Sequence, residues 1–208
     1  MNGITFISIN ENISKHSFRD FGLILTEQKI GLPAPKTYMV EIEGRNGSLD
    51  LSESFGEIKY ENRELNFTFE LIENVESWID RMKKVAAFLH GQKMKIITWS
   101  DPNFYYIGRC NIEEYNSVSK LGKIEISCDC EPYKYKRKIT TARLSEGKNT
   151  IVNGRMTTYA DLYNDEEVTI GNRTYGAGTH LRAIKLLYGK NVLNSSGTAT
   201  LKYQEGEL

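Results

Sequence analysis

Cysteine and histidine are the scarce residues here that could do chemistry, and the cysteines are the more suggestive. The chain has three of each: Cys110, Cys128 and Cys130, and His16, His90 and His180. Cys128 and Cys130 stand two apart in an alternating segment, so both thiols would face the same side of a strand. Three thiols on paired strands could form part of a zinc site, but structural zinc normally takes four ligands. Cys-x-Cys is also typical of small residues packed inside a core, and we favour that interpretation.

The histidines lie far apart, and none belongs to a motif such as HxxxH or HExxH that supplies two metal ligands from one element. His90 lies at the C-terminus of a predicted helix, where its imidazole would donate to free carbonyls of the last turn. Gly176-Ala177-Gly178 is only half of a dinucleotide fingerprint and precedes a strand-like segment. We therefore expect no catalytic residue, no metal site and no cofactor.

Composition and charge are those of an ordinary globular protein. Of the 208 residues, 39% are hydrophobic, and 27 Lys+Arg balance 27 Asp+Glu. This balance argues against a protein that binds nucleic acid through its phosphates. Apolar stretches are far shorter than the ~20 residues that span a bilayer, and residues 1–30 lack a leader pattern, so we expect neither membrane insertion nor secretion. An odd number of cysteines fits reduced thiols in a cytoplasm.

Most of the chain alternates apolar and polar residues, which predicts half-buried antiparallel strands. Residues 63–72 put Leu65, Phe67, Phe69 and Leu71 on one face, and residues 121–130 alternate in the same way. Further strands are predicted over 3–9, 21–27, 37–43, 93–99, 104–112, 166–175, 181–188 and 197–203.

One segment has helical spacing instead. Its apolar residues recur at three- and four-residue steps: Val75, Trp78, Ile79, Met82, Val85, Ala86 and Leu89. With Asn74 placed as the N-terminal cap and Gly91 at the end, the pattern predicts a helix over 75–90. The alternative is a membrane-surface helix, but the polar face carries both signs of charge, which disfavours it.

The polar run 131–138 contains Pro132, which a central strand would not accommodate. We therefore predict two domains, 1–137 and 138–208. The predicted fold class is mainly β, with an N-terminal β-sandwich, one packed helix at about 75–90 and a small C-terminal β domain. The lack of a catalytic signature favours a structural or interaction role.

Two other functions stay open at this point. Phe104-Tyr105-Tyr106 could be an aromatic platform for a sugar, as in a carbohydrate-binding β-sandwich module, or could simply cover both faces of a sheet. A hydrolase assembled from scattered carboxylates is the third hypothesis, for which the sequence nominates no residue.

Several segments, in order along the chain, resemble the distal tail (Dit) proteins of long-tailed bacteriophages and prophages of Gram-positive bacteria. They are residues 18–27, residues 40–52, Asn62-Arg63 before the strand Leu65–Phe69, Trp78, residues 89–93, residues 101–109, Asp129-Cys130-Glu131-Pro132-Tyr133, and the ending 189–193 followed by 197–206. Each segment alone is weak, and their shared order carries the resemblance. It covers residues 1–137 well and 138–208 loosely.

The resemblance implies a structural protein of the virion tail tip that is not an enzyme. Such proteins form a homohexameric ring that joins the tail tube to the tail-tip hub, the tail-associated lysin and the receptor-binding or baseplate proteins. They are assembled in the cytoplasm of the host bacterium. The ring leaves a lumen for DNA, so the balanced charge agrees with passage without specific nucleic-acid binding.

Two features bear on how such a ring would be built. Loops 28–39 and 44–56 are candidates for reaching a neighbouring subunit, with ordinary hairpin ends as the alternative. The C-terminal part has roughly seventy residues, which is shorter than the galectin-like domain of better-known members. We therefore expect a scaffold rather than a host-cell receptor binder.

Overall fold

The computed structural model describes residues 2–54, 56–72, 75–118 and 121–208, which fold mainly into antiparallel strands with two helices. The mainly β fold class is thereby confirmed. These residues form two compact units. One runs from the N-terminus to Pro102 and from Tyr106 to Pro132, and the other comprises Asn103–Tyr105 and Tyr133–Leu208. The functional division into 1–137 and 138–208 stays a prediction.

The first unit is built on one sheet of seven strands. The elements up to residue 130 are β1 (Ile4–Ser8), β2 (Ser14–His16), α1 (Ser17–Phe21), β3 (Ile24–Ile30), β4 (Met39–Val40), β5 (Leu49–Asp50), β6 (Arg63–Ile72), α2 (Val75–Leu89), β7 (Lys93–Thr98), β8 (Phe104–Val118) and β9 (Leu121–Cys130). The strand order is β2-β1-β7-β8-β9-β6-β3, and every neighbouring pair is antiparallel. β4 and β5 form a separate two-stranded ribbon.

β6 and β9 are the longest regular pair in this sheet and match their predicted bounds. They pair without a bulge from Arg63↔Cys130 to Ile72↔Leu121. The inward side chains of β6, from Leu65 to Leu71, are all buried, and β9 alternates in the same way. Alternation over ten residues therefore identified both strands correctly.

The sheet curls strongly enough to enclose its own core. β1 and β6 are separated by three strands, which in a flat sheet would place them about 19 Å apart. Nevertheless the rings of Phe6 on β1 and Phe67 on β6 meet edge to face, with centroids 6.3 Å apart. Gln28 of β3 also donates to the Ser100 hydroxyl, just after β7, at 2.9 Å. The two halves of one sheet thus face each other around the core, as the layers of a sandwich do.

Helix α2 packs into this core along a narrower stripe than predicted. Trp78, Met82, Val85 and Leu89 are buried, whereas Ile79, which was expected on the same face, is 48% exposed. The buried positions follow strict four-, three- and four-residue steps, and Ile79 lies beside that stripe. The predicted cap, Asn74, lies outside the described residues. None of the described helices is long and apolar enough to cross a membrane.

The second unit contains two facing sheets. Its strands are β10 (Lys134–Lys136), β11 (Thr140–Leu144), β12 (Gly147–Asn153), β13 (Thr158–Asn164), β14 (Val168–Ile170), β15 (Arg173–Tyr175), β16 (Gly178–Leu186), β17 (Gly189–Ser195), β18 (Ala199–Tyr203) and β19 (Gly206–Glu207). The sheets are β11-β18-β13-β16 and β12-β17-β14-β15. Both contribute to one apolar core that includes Ile151, Leu162, Val168 and Leu201.

Several predicted strands need correction. The strand expected over 166–175 is a hairpin, β14 and β15, because Gly171 adopts a left-handed turn. The strand expected over 37–43 is only Met39–Val40, and that expected over 104–112 continues to Val118 past a bulge between Ile112 and Glu114. Part of the strand expected over 21–27 is helix α1.

The contact between α2 and β9 leads to a stability prediction. A Cβ at Gly122 would lie 2.6 Å from the Trp78 indole, so Gly122→Ala must displace the ring or the helix. We expect a loss of about 1–3 kcal/mol of unfolding free energy in urea. Gly176→Ala is the matched control, because its Cβ would meet nothing within 4 Å and its φ is not left-handed. Equal stability of the two variants would contradict this packing.

Candidate interaction surfaces

The three cysteines all face the core of the first unit. Cys110 on β8 and Cys128 and Cys130 on β9 are fully buried. Burial raises the pKa of the Cys128 thiol well above its usual value and raises that of Cys130 as well. Among the described residues, no three His, Cys, Asp or Glu side chains are grouped so that they could hold a metal ion. The thiols therefore behave as small core residues.

The histidines serve local structure. His16 caps α1, and its Nδ1 accepts from the N–H groups of Phe18 and Arg19. Burial, and then the charge of Arg19, lower its pKa, which keeps the ring neutral and able to accept. The expected role of His90 is wrong: its Nδ1 accepts from the Ile112 N–H of β8 at 3.1 Å rather than donating to helix carbonyls. His180 contacts the Gly176 carbonyl through Nε2.

The aromatic run 104–106 is not an open platform. Tyr106 is only 4% exposed, and the Arg63 guanidinium lies over its ring. The Tyr105 ring stacks on Tyr135 with centroids 5.6 Å apart, and the Lys134 ammonium lies over Phe104. All three rings contact other side chains of the protein. They therefore do not form the open aromatic surface on which a sugar could stack.

The most distinctive exposed feature is a long arm between β3 and β6, residues 31–62. Its outgoing and returning halves are joined by backbone hydrogen bonds. Lys36 N–H donates to the Lys59 carbonyl at 2.8 Å, and Glu61 N–H donates to the Ala34 carbonyl at 2.8 Å. Farther out, Met39 and Val40 pair with Asp50 and Leu49 as β4 and β5. The arm includes most of both predicted reaching loops, although residues 28–30 belong to β3.

The arm is held together by backbone hydrogen bonds rather than by a hydrophobic core. Pro33 is the one buried residue among those described in it, and neither core cluster includes any described arm residue. Large apolar side chains stay exposed instead: Leu32, Tyr38, Met39 and Ile42, with Leu32 at 80%. A ribbon with this much uncovered apolar surface is typical of a segment that packs on another molecule.

The base of the arm is anchored to the first unit by hydrogen bonds. Gly31 N–H donates to the Glu64 carbonyl at 2.9 Å, and a Cβ at Gly31 would lie 2.9 Å from that same oxygen, so only glycine fits. Arg63, 3% exposed, donates from Nε to the Gly31 carbonyl at 2.9 Å and from Nη1 to the Pro132 carbonyl at 3.3 Å. One buried guanidinium thus ties the start of the arm to the end of the first unit.

A second exposed apolar feature of this unit is a groove beside α2. It has a volume of about 420 Å³ and is lined by Met82, Ala86, His90 and residues 112–115 of β8. Tyr115 in its wall is 59% exposed, and Ile79 on α2 is also exposed. The bulge between Ile112 and Glu114 lies in the wall of this groove.

Comparison with solved structures relates this fold to a phage protein. It is similar to the crystal structure of the SPP1 Dit (gp 19.1) protein, described as a paradigm of the hub adsorption apparatus in phages that infect Gram-positive bacteria. The TM-score is 0.70 at 14% identity, and the match covers 99% of both chains. No family model and no curated protein matches the sequence. The chain therefore has a Dit-like fold along its whole length.

The base of the arm leads to a second prediction. Arg63→Met removes the hydrogen-bond donor of the Gly31 and Pro132 carbonyls, and we expect a loss of about 1–3 kcal/mol of unfolding free energy in urea. Arg143→Met is the control, because the exposed Arg143 side chain has no hydrogen bond or ion pair among the described residues. A loss no larger than that of the control would contradict the anchoring role of Arg63.

Proposed function

We propose that the chain is a structural distal tail protein of a long-tailed bacteriophage or prophage. The observation that carries this proposal is the Dit-like fold over 99% of both chains. The ordered sequence segments that resemble the same family support it independently. The protein acts in the virion, at the tip of the tail, after assembly in the host cytoplasm.

In this role the chain forms a homohexameric ring. A six-fold contact is heterologous, so each copy must present two different surfaces that fit each other. The first unit has two different exposed surfaces with apolar side chains, the arm with Leu32 and Met39 and the groove beside α2 with Tyr115. We propose that the arm of one copy lies in the groove of the next.

The ring joins the tail tube to the tail-tip hub, the tail-associated lysin and the receptor-binding or baseplate proteins. We assign the chain no enzymatic activity, since its thiols are packed in a core and its histidines are used in capping and backbone contacts. It binds no cofactor and no specific nucleic acid. A carbohydrate-binding module is not favoured, because Tyr106 is buried and Tyr105 is stacked on Tyr135.

Mass measurement by light scattering over a concentration series tests the ring. We expect a species of six copies of the 23.8 kDa chain. Leu32→Asp puts a charge on the exposed arm, and Tyr115→Asp puts one in the proposed acceptor groove. Each should raise the protein concentration at which half of the chains are assembled by at least tenfold. Both side chains are exposed, so the monomer should keep its fold and circular dichroism spectrum.

Leu181→Asp is the matched control, because Leu181 is 74% exposed but lies in the second unit. It should leave the mass unchanged. A wild-type monomer at the highest concentration would contradict a self-assembling ring, and equal loss of assembly in all three variants would contradict the arm-to-groove contact.

A further inference from the structure

Two of the buried thiols directly face each other across the central hairpin of the first unit. Cys110 of β8 is in register with Cys128 of β9. Their sulfur atoms are 2.9 Å apart, and both residues have no exposed surface. A disulfide bond is about 2.05 Å long, so the sulfurs need to approach by only about 0.9 Å to form one.

The backbone shows which type of cross-strand pair this is. The Cys110 N–H donates to the Gln92 carbonyl at 3.0 Å, and the Cys110 carbonyl accepts from the Gly91 N–H at 2.8 Å. Both backbone groups of Cys110 therefore point away from β9, and the pair with Cys128 is a non-hydrogen-bonded one. The Cα atoms of such a pair are about 4.5 Å apart. This value lies within the range of about 4.4–6.8 Å that disulfides span.

Cys130 is not an alternative partner. It faces Gly108 across the hairpin, and its sulfur lies so close to Gly108 that a Cβ on that residue would clash with it. Cys128 and Cys130 are two residues apart on one strand, a rise of about 6.6 Å, whereas the Cβ atoms of a disulfide are about 3.5–4.5 Å apart. Cys128 and Cys130 are therefore too far apart on an extended strand to form a disulfide with each other.

We propose that Cys110 and Cys128 are a preorganised dithiol that a small-molecule disulfide, such as glutathione disulfide, oxidises to an intramolecular cross-strand disulfide. One thiolate of the pair attacks the reagent, forms a mixed disulfide and expels one glutathione thiolate. The second thiolate attacks the protein sulfur of that mixed disulfide, closes the Cys110–Cys128 bond and expels the second glutathione. The protein loses two electrons and two protons, the glutathione disulfide gains both, and Cys130 stays a thiol.

Burial slows the oxidation of Cys110 and Cys128 but does not prevent it. Because desolvation raises the pKa of Cys128, this thiol is rarely ionised in the closed fold, and a reagent reaches the buried pair only when β8 and β9 open locally. The chain is thus a dithiol in a reducing cytoplasm and acquires the bond only after long exposure to an oxidising medium. The site does not depend on the proposed tail role, so either proposal can fail alone.

Equilibration of the full-length protein in buffers of reduced and oxidised glutathione tests the site, with dilute urea added to allow local opening. After acid quench and alkylation of the denatured protein, two of the three thiols should be lost and the intact mass should fall by two hydrogens. Peptide mapping should join Cys110 to Cys128. In urea that unfolds the chain, the equilibrium constant for oxidation of the dithiol by glutathione disulfide should drop on the order of a hundredfold. The reason is that the fold then no longer holds the two thiols together.

Cys130→Ala should keep the crosslink, and Cys110→Ala should abolish it. If Cys130→Ala does not fold, the peptide map of the wild type still distinguishes the three possible pairings. Three free thiols at equilibrium in the folded protein, a Cys128–Cys130 bond, or an equilibrium constant that is equal in native buffer and in unfolding urea would each overturn the proposal.

Discussion

The pairing of β6 with β9 is the constraint on which the rest of the first unit depends. It runs from Arg63↔Cys130 to Ile72↔Leu121 in unbroken register. A slip by one residue would turn Leu65 and Phe67 to solvent and bring Glu64 and Asn66 into the core. The hydrophobic cost of such a slip fixes the register, and that register sets where each neighbouring element packs.

Three features follow from that register. β9 places Gly122 under the Trp78 indole, which sets how closely α2 approaches the sheet. β6 begins at Arg63, which holds the base of the arm through the Gly31 carbonyl. On its other side β9 places Cys128 opposite Cys110. The arm therefore projects from a rigid support although it has no core of its own, and this combination suits a segment that packs on a neighbouring molecule.

Sequence reasoning succeeded where periodicity was long and failed where the structure depends on single contacts. β6, β9 and α2 were predicted because ten or more residues share one pattern. The extension of β8 beyond 112 was missed because the bulge at Ile112 and Glu114 shifts the alternation. Helix α1 has only five residues and depends on the His16 cap, a contact that no composition rule identifies. In the second unit, β12 ends at Asn153 and β13 ends at Asn164, and both side chains are buried. Their amides donate to loop carbonyls. Because polar residues fill these buried positions, the apolar alternation that would have predicted the two strands is weak.

For the candidate surfaces, the sequence placed the cysteines in a core and located most of the arm from glycine, proline and charge. It suggested that the three thiols lie on paired strands, but it could not show that Cys110 faces Cys128, because the bulge between Ile112 and Glu114 shifts the register of that hairpin. For the aromatic run 104–106 it left a sugar platform and a role in covering both faces of a sheet open, and the burial of Tyr106 favours the second.

The central claim is that this chain is a component of a phage tail tip. The most direct measurement is electron microscopy of viral particles, produced by cells that express the chain, after labelling with an antibody against it. We predict label confined to the distal end of long tails, where the antibody binds the second unit. Label on heads, or particles that carry none of the protein by mass spectrometry, would contradict it.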